Sequence, residues 1–247
     1  MQEIRLTTTL KAAVLAGMLG GLVMGLFHLL FTEPVIDKAL AIEKQFAAAE
    51  VEIVSRGLQK VGLLVGTIIF GAILGSLYAG PYALLHSWLP GSGQRLKGLI
   101  LTALAYWSVT LFPFFKYPAN PPGVGEPETI AYRQTIALGF VALSVLGMVM
   151  AVAAYQVLGR RVQSKAYRNR VYMVSVGYII YAVIIYLLMP PNPDEIRMPT
   201  ELVWQFRGLS VAGLTLFWVI MGLTFAILWE RFTQRKTNVP TQAARVM

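Results

Sequence analysis

The chain alternates long apolar runs with short polar segments, and six of the runs are long enough, or nearly so, to cross a membrane. A helix needs about 20 apolar residues to span the hydrocarbon core of a bilayer, and none of the six runs contains a charged side chain. The pattern predicts an all-α, polytopic membrane helix bundle with about six transmembrane helices in three hairpins. One integral membrane domain would then occupy residues 1–247, with spans at 12–31, 61–85, 98–115, 135–158, 171–189 and 208–229.

Composition agrees with the membrane interpretation. Hydrophobic residues make up 56% of the chain and charged residues 13%, with a mean hydropathy of +0.62. A soluble globular domain usually has about 25% charged residues. The chain has no cysteine, which excludes disulfides, thiolate metal ligands and a cysteine nucleophile.

The positive charge is distributed unevenly between the two ends of the predicted spans. Thirteen of the 21 Lys and Arg residues lie in the two termini and the 86–97 and 159–170 loops, which share one side of the membrane. Cytoplasmic loops are enriched in Lys and Arg, so we expect both termini to be cytoplasmic. The net charge of +9 is then explained by topology and by attraction to anionic membrane lipid, without nucleic acid. No nucleotide-binding motif can be read from the sequence. The segment "GTIIFGAI" (66–73) has the glycine spacing of a phosphate-binding loop, but its glycines are not followed by Lys and Ser or Thr.

Three glycines form a regular row in the first predicted span. Gly17, Gly21 and Gly25 are spaced four residues apart, so they lie along one stripe of a helix. Small residues in such a row allow another backbone to approach closely. The row predicts tight helix packing, either within the chain or with a partner subunit.

His28 is the most specific candidate for metal chemistry within a span. Met24 lies four residues earlier on the same predicted helix face. Glu33 precedes Pro34, and a residue before proline disfavours helical geometry, so we expect the helix to end near Thr32 and Glu33 to reach the mouth of the bundle. These side chains could bind a metal ion or move protons; alternatively, His28 only forms a hydrogen bond with a loop carbonyl group.

The predicted outer loops combine prolines with oxygen ligands. Rigid loops lose less entropy on ordering, and carboxylate, amide and carbonyl oxygens suit divalent cations. Glu128 followed by Arg133, and Glu201 followed by Arg207, suggest a degenerate hairpin repeat. The alternative is a rigid clasp between the third and fourth spans. We expect these outer loops and Glu33 to converge at one outer mouth of the bundle. The candidate metal ligands are therefore His28, Met24 and Glu33 together with loop residues Asn120, Glu126, Glu128, Asn192, Asp194 and Glu195.

Three segments resemble one known family. They are "HLLFTEPVIDKALAIE" (28–43), "FPFFKYPANPPGVGEPETIAYRQ" (112–134) and "PDEIRMPTELVWQFR" (193–207), and they are similar to signature segments of CbtA-type proteins, the probable cobalt transporter subunits. The resemblance implies a bacterial cell (inner) membrane protein of cobalt uptake that serves cobalamin synthesis. It also implies a small CbtB-like partner with one span and a histidine-rich end. Co²⁺ would be the transported ion, and no cofactor would be permanently bound.

A second class of function is a structural or assembly subunit of a larger membrane complex. The absence of charged residues inside the predicted spans favours this alternative, because ion paths usually contain polar groups within the membrane. We expect the chain not to be an enzyme, since neither a nucleophile–base pair nor a catalytic motif can be read from the sequence.

Overall fold

The fold is described from a computed structural model for residues 6–46, 54–91, 93–161 and 167–237. Within those ranges the regular elements are all helical. The helices are α1 (Leu6–Phe27), a π-helical segment (His28–Thr32), α2 (Glu33–Phe46), α3 (Arg56–Leu85), α4 (Gln94–Ala105), a second π-helical segment (Tyr106–Leu111), α5 (Phe112–Lys116), a 3₁₀ turn (Pro127–Thr129), α6 (Ile130–Arg161), α7 (Tyr167–Leu188) and α8 (Thr200–Thr237).

Six helices in the described part of the chain are long and apolar enough to cross a membrane, which confirms the predicted fold class. All six predicted spans are found, including the short third one. The structure extends them to Leu6–Gln45, Arg56–Leu85, Gln94–Lys116, Pro127–Gly159, Arg168–Leu188 and Thr200–Thr233. The cytoplasmic location of the termini remains a prediction, and part of the basic 159–170 loop lies outside the described residues.

The first span continues past the predicted stop at Thr32, so that prediction is wrong. Proline lacks an N–H and its ring clashes with the carbonyl group four residues earlier in an α-helix. The chain meets Pro34 through the π-helical segment His28–Thr32 and then resumes as α2 at Glu33. The wider π turn lets the helix continue. The same arrangement recurs in the third span, where Tyr106–Leu111 is π-helical and Pro113 is the second residue of α5.

The chain divides into two compact units. The first comprises Met1–Phe31, Val51–Ala103 and Ala212–Met247. In it, α1 packs on α3 through small residues: a Cβ atom added to Gly21 would lie 2.9 Å from the carbonyl carbon of Thr67. An added Cβ atom at Gly17 would overlap the carbonyl oxygen of Gly71, and one at Gly75 would overlap that of Ala13. The two backbones are therefore in direct contact.

The second unit comprises Thr32–Glu50 and Leu104–Val211. A cluster in its core contains Phe112, Phe140, Ala182 and Ile185, which are all buried. The 117–126 connector of this unit is irregular but packed, since Pro121 and Val124 are buried. The connector is therefore an ordered part of the unit.

Candidate functional site

His28 begins the π-helical segment of the first span and lies in the first unit. Its ring covers the α-carbon of Gly213 in α8, because a Cβ atom added there would lie 3.2 Å from Nδ1 and closer still to Cε1 and Nε2. The ring of Phe27 meets the imidazole edge-on, with centroids 5.7 Å apart. His28 is half-buried and Met24 is 4% exposed. The imidazole thus fits into a space that only a glycine leaves open.

Gly213 was missed by sequence reasoning. The sequence contains 22 glycines, and nothing in the local pattern separates this one from the others in the apolar runs. Its role depends on a side chain 185 positions away, which only tertiary packing brings against it.

Glu33 has a different setting from the one predicted. It is the first residue of α2, it is 5% exposed, and it belongs to the second unit. A buried carboxylate is costly unless other groups compensate its charge. The groups that surround the Glu33 carboxylate therefore decide whether Glu33 can bind a metal ion, more than its closeness to His28 along the chain does.

An ion pair in the second unit joins the start of α6 to the proline-rich loop at residues 189–199. Arg133 Nε lies 2.8 Å from Asp194 Oδ2, and the Asp194 side chain is only 2% exposed. The Thr129 hydroxyl donates to the same carboxylate, at 2.8 Å from Oδ1. The N–H of Asp194 donates to Asn192 Oδ1 at 3.1 Å, a side-chain turn that fixes the loop. Asp194 and Asn192 are thus both engaged in holding the 189–199 loop in place.

A second bond runs in the opposite direction, from α8 to the 117–126 connector. Arg207, in the second turn of α8, donates from Nη2 to Asn120 Oδ1 at 2.8 Å. Its guanidinium also lies 5.3 Å from the ring centroid of Trp204. The recurring Glu–Arg spacing suggested a hairpin repeat without assigning partners to the arginines; in the structure Arg133 bonds to Asp194 and Arg207 bonds to Asn120. We call these two crosswise bonds, Arg133–Asp194 and Arg207–Asn120, the loop clasp.

The remaining candidate ligands are on the surface of the second unit. Glu126, Glu128 and Glu195 are exposed. Arg197 lies 3.5 Å from a carboxylate oxygen of Glu126 and 3.5 Å from one of Glu195. Exposed pairs of this kind contribute little to stability. Because the three carboxylates are exposed, cations from solution can reach them.

No three His, Asp or Glu side chains in the described ranges lie close enough together to hold a metal ion. A metal site built from the described residues would therefore need backbone oxygens, thioether or amide groups, water, or ligands from another subunit. The predicted ligands remain predictions.

A buried polar network in the first unit was also not predicted as a feature. The Tyr78 hydroxyl donates to the Gly98 carbonyl at 2.8 Å and accepts from Thr102 Oγ1 at 3.2 Å. One turn away, the Tyr82 hydroxyl donates to Gln94 Oε1 at 3.2 Å. Two tyrosines four residues apart on one face of a span, as here, are a sequence signal for such a network.

The fold and these features define an integral membrane protein of the helix-bundle class. The model of one protein family, described as "Probable cobalt transporter subunit (CbtA)", matches residues 6–230. The chain belongs to this family, which confirms the resemblance seen in its sequence. No curated protein and no solved structure matches the chain. A transporter subunit is not an enzyme, and it acts within a larger assembly.

Proposed function

We propose that this chain is the membrane subunit of a cobalt uptake system that serves cobalamin synthesis and works with a small, histidine-rich, single-span partner. The observation that carries the proposal is the match of the cobalt transporter subunit family across residues 6–230, a range that includes all or part of every candidate span. Co²⁺ is the transported ion, and the location is the bacterial cell membrane.

His28 is the residue that we assign to metal binding. Cobalt binds well to a neutral imidazole, and a half-buried position in a span favours the neutral form over the charged form. π-Helical turns are frequent at functional sites, and His28 opens one. Met24 is the candidate for a weak thioether contact.

The partner would supply further ligands for the metal ion. Only two histidines occur in the sequence, and no cluster of three ionisable ligands forms in the described residues. A histidine-rich partner would complete the coordination shell of the metal ion. Capture would begin at the exposed carboxylates of Glu126, Glu128 and Glu195, while Glu33 remains a candidate ligand that is buried.

Uptake of Co²⁺ into cells that express the chain with or without its partner tests the proposal. We expect His28→Ala to lower uptake by at least about tenfold, which corresponds to roughly 1.4 kcal/mol if one binding step is affected. His86→Ala is the matched control and should change uptake much less. His86 Nδ1 lies 3.0 Å from the Ala83 carbonyl oxygen, so this hydrogen bond holds the His86 ring without a metal ion. Uptake equal to that of the wild type in both His28→Ala and His28→Gln, at equal protein levels, would end the assignment of His28 as a ligand.

A non-transporting assembly subunit is the second candidate. The loop clasp favours it, because Asn120 and Asp194 have arginine partners and need no metal to be ordered. This alternative predicts that no variant of the chain changes uptake except by lowering the amount of the assembled complex. Quantifying the complex by co-purification alongside uptake separates the two candidates.

A further inference from the structure

An apolar groove of about 380 Å³ lies in the second unit between residues 107–115 and α7. Five aromatic and four aliphatic side chains line it. Phe112 and Ala182 are buried at 7% and 8% exposure, whereas Ile179 and Leu187 are exposed at 59% and 73%. The groove is bordered by two membrane-spanning segments, so its ligand must be soluble in hydrocarbon.

Two polar side chains that line the groove bond to each other. Trp107 Nε1 donates to the Tyr178 hydroxyl at 2.7 Å. The bond satisfies the indole N–H, which lowers the penalty of placing it beside hydrocarbon. The lining is otherwise mostly apolar, so an acyl chain would cover the aromatic surface.

A cation is placed at one end of this groove. Lys116 Nζ donates to the Tyr186 carbonyl at 2.8 Å and lies 4.8 Å from the centroid of the Tyr186 ring, which is itself a lining residue. An ammonium group has three donors, so two remain. None of the carboxylates in the described ranges pairs with Lys116.

We propose that this groove binds one acyl chain of an anionic phospholipid, with the headgroup phosphate accepting hydrogen bonds from Lys116. The hydrocarbon fills the aromatic groove, and the negative headgroup supplies the counter-charge that Lys116 lacks. Lysine near a span end normally extends to the headgroup level of the bilayer. The site is independent of cobalt binding.

Native mass spectrometry of the full chain in detergent, titrated with phosphatidylglycerol or phosphatidylcholine, tests the site. We expect the wild type to retain one phosphatidylglycerol with an apparent affinity at least about tenfold above that for phosphatidylcholine. Lys116→Gln should remove this preference. Val183→Trp should lower retention of both lipids, because Val183 lines the groove and is 51% exposed, so that the larger ring covers the groove without disturbing the core.

Two matched controls accompany these variants. Arg231→Gln removes an exposed positive charge at the far end of α8, and Val219→Trp adds the same ring at another 50% exposed position; both should retain lipid as the wild type does. Equal retention of the two lipids by the wild type would overturn the proposal. Unchanged binding in Lys116→Gln or in Val183→Trp would overturn it as well, since the lipid would then lie elsewhere.

Discussion

The loop clasp makes a quantitative prediction about Asp194. Asp194→Asn keeps the shape of the side chain but removes the charge that balances Arg133, whose side chain is 24% exposed. Removing one partner of a fully buried ion pair costs about 3–5 kcal/mol. Because Arg133 keeps some contact with solvent, we take the lower end, about 3 kcal/mol. At about 2–4 °C per kcal/mol for a chain of this size, the Tm should fall by about 6–12 °C.

Thermal unfolding of the purified chain in detergent measures this effect. The matched control is Glu195→Gln, the neighbouring carboxylate, whose side chain is 79% exposed and pairs with Arg197 at 3.5 Å. Exposed pairs contribute about 0–1 kcal/mol, so this control should change the Tm by only a few degrees.

The double variant Arg133→Gln/Asp194→Asn separates the ion pair from other effects of the substitutions. An amide pair leaves no unbalanced charge, so the double variant should be more stable than the sum of the two single changes predicts. If Asp194→Asn unfolds at the same temperature as Glu195→Gln, or if the two single effects simply add, the ion pair does not hold the loops.

Three further predictions follow from single positions. Gly21→Ala should lower the Tm because its Cβ atom would meet the backbone of α3. Gly62→Ala, whose Cβ atom would have nothing within 4 Å, should leave the Tm equal or raise it through better helix propensity. Equal losses of Tm in the two variants would contradict the packing of α1 on α3. Gly125→Ala should destabilise the clasp, since φ is +99° and the added atom would lie 2.6 Å from Asp194 Oδ2; an unchanged Tm would refute this. In a chain without cysteine, Glu128→Cys should react with an impermeant thiol reagent in intact cells and Lys165→Cys should not; the reverse result would invert the predicted topology.

The number and approximate extent of the spans could be predicted from local hydrophobicity alone. Each depends on about 20 consecutive apolar residues, a local property that needs no knowledge of partners. The glycine row was also visible, because helical periodicity places residues four apart on one stripe. Family membership could be inferred from three contiguous segments of the sequence.

Which polar groups meet could not be predicted without the packing of the helices. Arg133 has Glu128 five positions away, yet it pairs with Asp194, while Thr129 and Asp194 are 65 positions apart and Arg207 and Asn120 are 87 apart. Such pairings depend on the packing of whole helices and not on local spacing. The continuation of the first span past Thr32 was also not visible in the local sequence. Proline disfavours the α-helix before it, but the π-helical turn accommodates Pro34.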